Sequence, residues 1–273
     1  MKFGWYVGLA LLGVGLSAGG NTVLINEIMY HPASEDVREE YVELVNLGTT
    51  DIDLEGWSFS KGIRYTFSNL TLRAGGYVVV AADLEAFANR YPGVTNVVGN
   101  WEGILSNSRE DLDLDDASGA RVDSVEYADE GDWAERRRGP LDRNHQGVIW
   151  EADHDGKGRS LELINPRMSN NYGANWASSP IPDGSPGTVN GAQAVNIPPL
   201  IVEPRHFPLV PRSSERVVVT VRLIDERTNG LSARLFWRLD GVDPGAFASV
   251  AMFDDGLHED GSPARSEEHT SEL

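Results

Sequence analysis

Along most of the chain apolar and polar positions alternate with a period of two and turn residues break the runs, so the pattern predicts strands. Residues 21–30 (NTVLINEIMY) are β-branched and apolar and stop at His31-Pro32, where proline blocks further ladder pairing. Residues 41–45 (YVELV) alternate and break at Asn46-Leu47-Gly48, and residues 64–67 (RYTF) resume an extended pattern after a turn at Lys61-Gly62. Gly75-Gly76 opens residues 77–82 (YVVVAA), an unbroken apolar run expected inside a sheet with both faces covered. Residues 83–91 (DLEAFANRY) switch to helical spacing, with Asp83 placed to cap the N-terminus and Pro92-Gly93 to end it. Leu112 and Leu114 alternate with aspartates, residues 115–119 make a hairpin turn, and residues 122–127 return as the partner strand. The pattern then thins after Tyr127 into a region expected to be loop, residues 130–158 with Arg136, Arg137 and Arg138, before one more strand at residues 160–164. Short strands at regular spacing predict an all-β, antiparallel sandwich rather than an α/β fold.

Six short motifs in fixed order carry a family resemblance. They are Ile25-Asn26-Glu27, Tyr41 to Asn46 with Glu43 inside, Leu54-Glu55-Gly56-Trp57, Leu72 to Val80 with Gly75 inside, Leu105-Ser106-Asn107, and Val122-Asp123 to Tyr127. The series resembles the lamin tail domain family, which implies an immunoglobulin-like β-sandwich. It also implies structural roles for Asn26, Glu27, Glu43, Asn46, Gly56, Trp57, Gly75, Ser106, Asn107 and Asp123. Bacterial members are similar further on, at residues 160–164, at Asn175-Trp176 and at residues 184–190 (GSPGTVN), so the unit is expected to span residues 21–192. Trp57 is expected in the sandwich interior.

Residues 193–199 read as a linker ending in a double proline, and a second β pattern follows at residues 216–224, 233–239 and 246–253. The segment 200–264 resembles part of an immunoglobulin or fibronectin-like module, shorter than the roughly 100 residues such a sandwich needs. Residues 265–273 (RSEEHTSEL) resemble a translated sequencing adapter, which implies a natural product that continues with covalently attached downstream domains.

Charge and composition narrow the function. The 273 residues hold 42 acidic and 23 basic side chains, a net charge of -19, so no nucleic-acid partner is expected without a local basic patch. No cysteine is present, which removes disulfides, thiolate metal sites and a cysteine nucleophile. Residues 1–19 place one lysine before a short apolar core and end on Ser17 and Gly19, the layout of a signal peptide cleaved after Gly19. That predicts export to the periplasm, the cell surface or the medium, with no transmembrane segment after cleavage.

Candidate chemistry is sparse. The histidines (His31, His145, His154, His206, His258 and His269) are scattered and read as ordinary loop residues. Asp153 to Glu162 has the outline of a calcium loop, but Lys157 falls on a ligand position and Glu162 arrives two residues early, so a turn before the next strand is expected. Calcium stays open as the one cofactor at Asp254, Asp255 and Asp260, where Asp-Gly hairpin turns are the competing reading. No nucleophile elbow or phosphate loop occurs, so no catalytic residue is assigned. Arg136 to Arg138, flanked by Trp133 and Trp150, fits either an anionic polymer or local pairing with aspartates, and Trp101, Trp133, Trp150 and Trp176 are candidates for stacking on a sugar. Two functions remain: a non-catalytic exported module that binds a protein or surface polymer or spaces other domains, or the N-terminal part of an exported enzyme with a CotH kinase-like or hydrolase domain downstream.

Overall fold

In the computed structural model, residues 23–143, 145–212, 214–227, 231–237, 247–254 and 268–272 are described. Strands β1 (Val23–Met29), β2 (Tyr41–Asn46), β3 (Ile52–Asp53), β4 (Ser58–Lys61), β5 (Tyr65–Thr66), β6 (Thr71–Leu72) and β7 (Tyr77–Ala81) precede helix α1 (Leu84–Arg90). After it come β8 (Val97–Gly99), β9 (Arg109–Asp115), β10 (Arg121–Ala128), β11 (Glu135–Asp142), β12 (His145–Glu151), β13 (Leu161–Leu163) and β14 (Trp176–Ser178). The remaining strands are β15 (Leu200–Phe207), β16 (Val218–Ile224), β17 (Arg234–Trp237), β18 (Ala248–Ala251) and β19 (Glu268–Glu272).

Two sheets make the sandwich, one ordered β14-β13-β1-β2-β7-β8 and the other β10-β9-β4-β5. Between them lies one core that takes Val23, Ile25 and Ile28 from β1, Val42 and Leu44 from β2, Phe59 from β4, Leu112 and Leu114 from β9, and Val125 and Tyr127 from β10. Trp57 is buried in that core, as its position after the Leu54-Gly56 turn implies. Pairing is antiparallel except for β7 and β8, which run parallel on either side of α1. A parallel pair needs a crossover, and α1 supplies it. Asp83 caps this helix as expected, its side chain accepting from the Ala86 amide. Val78 and Val80 face the main core, while Val79 and Ala81 meet Phe87 of the helix in a second cluster, so both faces of β7 are covered.

A single inserted residue sets the facing of β1. Ile25 pairs with Leu44 and Glu27 with Glu43, leaving Asn26 as a bulge. The insertion re-phases the alternation, so Ile25 and Ile28 both point inward while Glu27 turns to the outer face. It also frees the Ile25 amide, which crosses to the other sheet and donates to Asp123 Oδ2 at 2.7 Å.

The expected loop at 130–158 needs correction. It contains β11 and β12, paired as a two-stranded ribbon that joins no other sheet among the described residues. Three arginines, a Gly-Pro step and polar ends hid the alternation, whereas the β-branched and aromatic Val148-Ile149-Trp150 run favours a strand. Beyond the sandwich, Ile197, Leu200 and Val202 pack with Met168, so residues 193–199 carry no strand but are not detached. The further β pattern forms one sheet ordered β15-β16-β19 and a β17-β18 pair, with Val221, Leu223 and Met252 in a small core beside Leu235. These are additional sheets rather than an identified second sandwich.

Candidate functional site

Three strands deliver one glutamate each to the same outer patch. Glu27 on β1 pairs with Glu43 on β2 and with Glu162 on β13, and all three are fully buried. The segment 183–192 lies over them and supplies the hydrogen bonds that such burial demands. Glu27 Oε1 accepts from Tyr41 Oη at 2.6 Å, Ser160 Oγ at 2.6 Å and the Ser185 amide at 2.8 Å. Glu43 accepts from Asn26 Nδ2 at 2.9 Å and the Gly187 amide at 2.5 Å, and Glu162 from the Ala192 amide at 2.7 Å. Asn190 completes the clasp by donating to the carbonyls of Asn26 and Leu163, both at 2.9 Å. Burial pushes the Glu27 carboxyl up to about 7, against the pull of its three donors and helped by Glu162; burial likewise holds Glu43 well above the usual carboxylate range. Ser185 Oγ lies 2.8 Å from Glu162 Oε1 and 3.3 Å from Glu27 Oε2. Its single proton serves one of them, and a proton on Glu27 serves the other.

Most of the remaining motif residues are also spent inside the fold. Asn46 donates to the carbonyls of Thr50 and Leu72 and accepts from the Gly48 amide, closing the end of β2. Gly56 and Gly75 hold positive φ angles of 79° and 67°, which a side chain would strain. Ser106 Oγ accepts from the Ser108 and Arg109 amides and its carbonyl takes the Tyr127 hydroxyl, while Asn107 is exposed. Asp123 joins the two sheets, accepting from Asn170 as well as Ile25, and burial raises its carboxyl. Asp254 is half-buried, and Asp255 and Asp260 lie outside the described residues, so the calcium reading gains no geometry. Among the described residues no three His, Asp or Glu side chains are placed to hold a metal ion.

A second network, which the sequence reading missed, holds the base of the ribbon. His154 is buried; its Nε2 donates to the Trp133 carbonyl at 2.8 Å, which leaves Nδ1 to accept from the Tyr30 hydroxyl at 2.7 Å. Burial keeps this imidazole below the usual histidine range, in the neutral form that the relay requires. His31, next to Tyr30, is bound by Asp155 Oδ1 at 2.5 Å and by Glu35; burial opposes its charge, but the two carboxylates raise its pKa. Glu40 is buried with one oxygen on the Leu105 amide, and burial pushes it up to about 7. Asp153 pairs with Lys157 and Arg159, and residues 153–156 form a turn ahead of β13, as expected.

The Trp133 ring sits 5.8 Å from Trp176 and separates two clefts, of about 560 and 530 Å³, on either side of the ribbon. Glu135, Arg137 and Glu151 reach the first, Trp150 the second. Of the four tryptophans considered for a sugar, Trp101 and Trp176 are buried, Trp133 is half-buried and Trp150 alone is exposed. The ribbon itself is open: Arg136, Arg138, Leu141, Val148, Ile149 and Trp150 are all exposed.

Residues 17–129 match the Lamin Tail Domain family model, and no curated protein matches the chain. That stretch is therefore lamin-tail-like, in keeping with its all-β sandwich fold. The match ends before the ribbon, whereas the clasp continues through Glu162, Ser185 and Asn190. No helix among the described residues is long and apolar enough to cross a membrane.

Proposed function

We propose that this chain is an exported binding and scaffolding module of a larger bacterial surface or extracellular protein, whose partner is a protein or a surface polymer. The observation that carries the reading is the division of labour in the fold. Nearly every motif residue is consumed in holding the sandwich closed, while the ribbon offers its side chains to solvent. The signal-peptide layout of residues 1–19 supports export. Exposed Phe207, Leu209 and Val210 support a neighbour over the immunoglobulin or fibronectin-like unit that we assign to residues 200–264, as in a multidomain protein.

Export is tested by fusing the chain, with and without residues 1–19, to a phosphatase reporter active only outside the cytoplasm. Activity that depends on those residues is expected; equal activity in both fusions would remove export from the reading. Binding is tested by immobilising the full chain and passing the exported fraction of a bacterial host over it. Specific retention of one protein or polymer is expected, and retention of none would leave the module without its proposed role.

A further inference from the structure

We propose that the β11–β12 ribbon is a strand-addition site for an acidic, extended segment of a partner protein, which lies along β11 with alternate carboxylates on Arg136 and Arg138. The inference rests on the interaction-module reading and gives it a surface and a partner chemistry. Among the described residues neither β11 nor β12 pairs with a third strand, so the ribbon keeps two edges on which another chain can continue the ladder. An isolated two-stranded hairpin is marginal in water, which makes a third strand stabilising to the ribbon as well as to the guest.

The side chains select the guest. Cross-strand pairing of Arg136 with Trp150 and of Arg138 with Val148 puts these four on one face. Residues two apart on a strand repeat at about 6.5–7 Å, the spacing of carboxylates placed at every second residue of an added strand. Arg137, on the opposite face, is already paired with Glu135 and Glu151. Among the described residues neither Arg136 nor Arg138 has a carboxylate within ion-pair distance, although acidic side chains outnumber basic ones 42 to 23 in the chain. Trp150 and Val148 beside them offer apolar contact to the alternate side chains of the guest. Pro140 lacks an amide, so the proposed edge is residues 135–138 and the guest is short.

Net charge does not forbid this. At physiological salt charges beyond about 8 Å are screened, and the two glutamates at the base of the ribbon, Glu135 and Glu151, are already paired with Arg137. An anionic glycan would also meet the arginines, but it would use neither the open main-chain edge nor more than the single exposed ring.

The test uses the full chain and a fluorescein-labelled peptide, Val-Glu-Val-Glu-Val-Glu-Val, read by fluorescence anisotropy at 50 and 300 mM salt. Saturable binding is expected, weakened at least tenfold by the double change Arg136→Ala and Arg138→Ala, weakened at high salt, and unchanged by Arg73→Ala at an exposed turn. A block peptide with the same residues, Glu-Glu-Glu-Val-Val-Val-Val, is expected to bind at least tenfold less well, because its carboxylates alternate between faces. No binding of the alternating peptide, or equal binding by the double variant, would overturn the proposal. Tighter binding of polygalacturonate through the same two arginines would overturn it in favour of a glycan. If the peptide fails while the immobilised chain still retains its partner, the ribbon inference falls and the interaction-module reading stands.

Discussion

Gly184 shows how closely the clasp is fitted. It holds a φ of 83°, and a β-carbon there would lie 2.3 Å from Glu27 Oε1 and from Tyr41 Oη, with Ser160 Oγ at 2.6 Å. Both the strained backbone and the collision act together in Gly184→Ala, and these neighbours are themselves buried and hydrogen-bonded. We expect a loss of about 3 kcal/mol or more in urea unfolding; a cost below about 0.5 kcal/mol would mean that the segment does not seal the glutamates. The motif residues were legible one by one in the sequence, because Asn26, Glu27 and Glu43 stand in recognisable strings. Their partners were not. Ser185 and Asn190 lie 158 and 164 positions from the residues they bind, and no local pattern encodes such a pairing.

At the level of elements, propensity and punctuation located most of the described strands and helix α1 within a residue or two. Residues 21–30, 41–45, 77–82 and 122–127 contain or overlap β1, β2, β7 and β10, and the Asp83 cap fell in place. What escaped were features decided by tertiary contact. The parallel β7–β8 pair depends on where α1 returns the chain, and the ribbon's arginines and Gly139-Pro140 read as loop. His154 looked ordinary because Tyr30, its partner, is 124 positions away. The ribbon buries little: Gly139 is its one buried residue among those with described side chains. Replacing residues 135–151 with a short glycine linker is therefore expected to leave the main thermal transition within about 2 °C of its original midpoint. A drop of about 10 °C in calorimetry would show that the ribbon belongs to the cooperative core.

For the whole molecule, the buried carboxyls set the direction in which stability moves with pH. Glu27 and Glu40 have folded values near 7 against an ordinary 4.5, so between those limits the folded protein binds more protons than the unfolded chain. Their contribution to stability is complete below about 4.5 and is lost as pH rises through 7. Glu43 and the carboxylate-bound His31 act in the same sense, while neutral His154 opposes them as pH falls below its ordinary 6.5. The melting temperature is thus expected to be several degrees higher at pH 5.5 than at pH 8. Glu27→Gln keeps an acceptor for Tyr41, Ser160 and Ser185 and removes the titration, so it should flatten part of this slope. An unchanged slope in that variant would assign the effect to the net charge of -19 instead.

The clasp also has a consequence in time. Strand β1 is among the first segments made, yet Glu27 and Asn26 find Ser185 and Asn190 only when the chain has grown by some 160 residues. At about 5–20 residues per second this is a delay of roughly 10–30 s, during which Glu27 and Glu43 face water and are charged. The long sequence separation also makes closure a late, slow event relative to local pairing. A nascent chain with its outer face still ionised stays open until this segment is made, and residue 190 works as the timer that ends the interval.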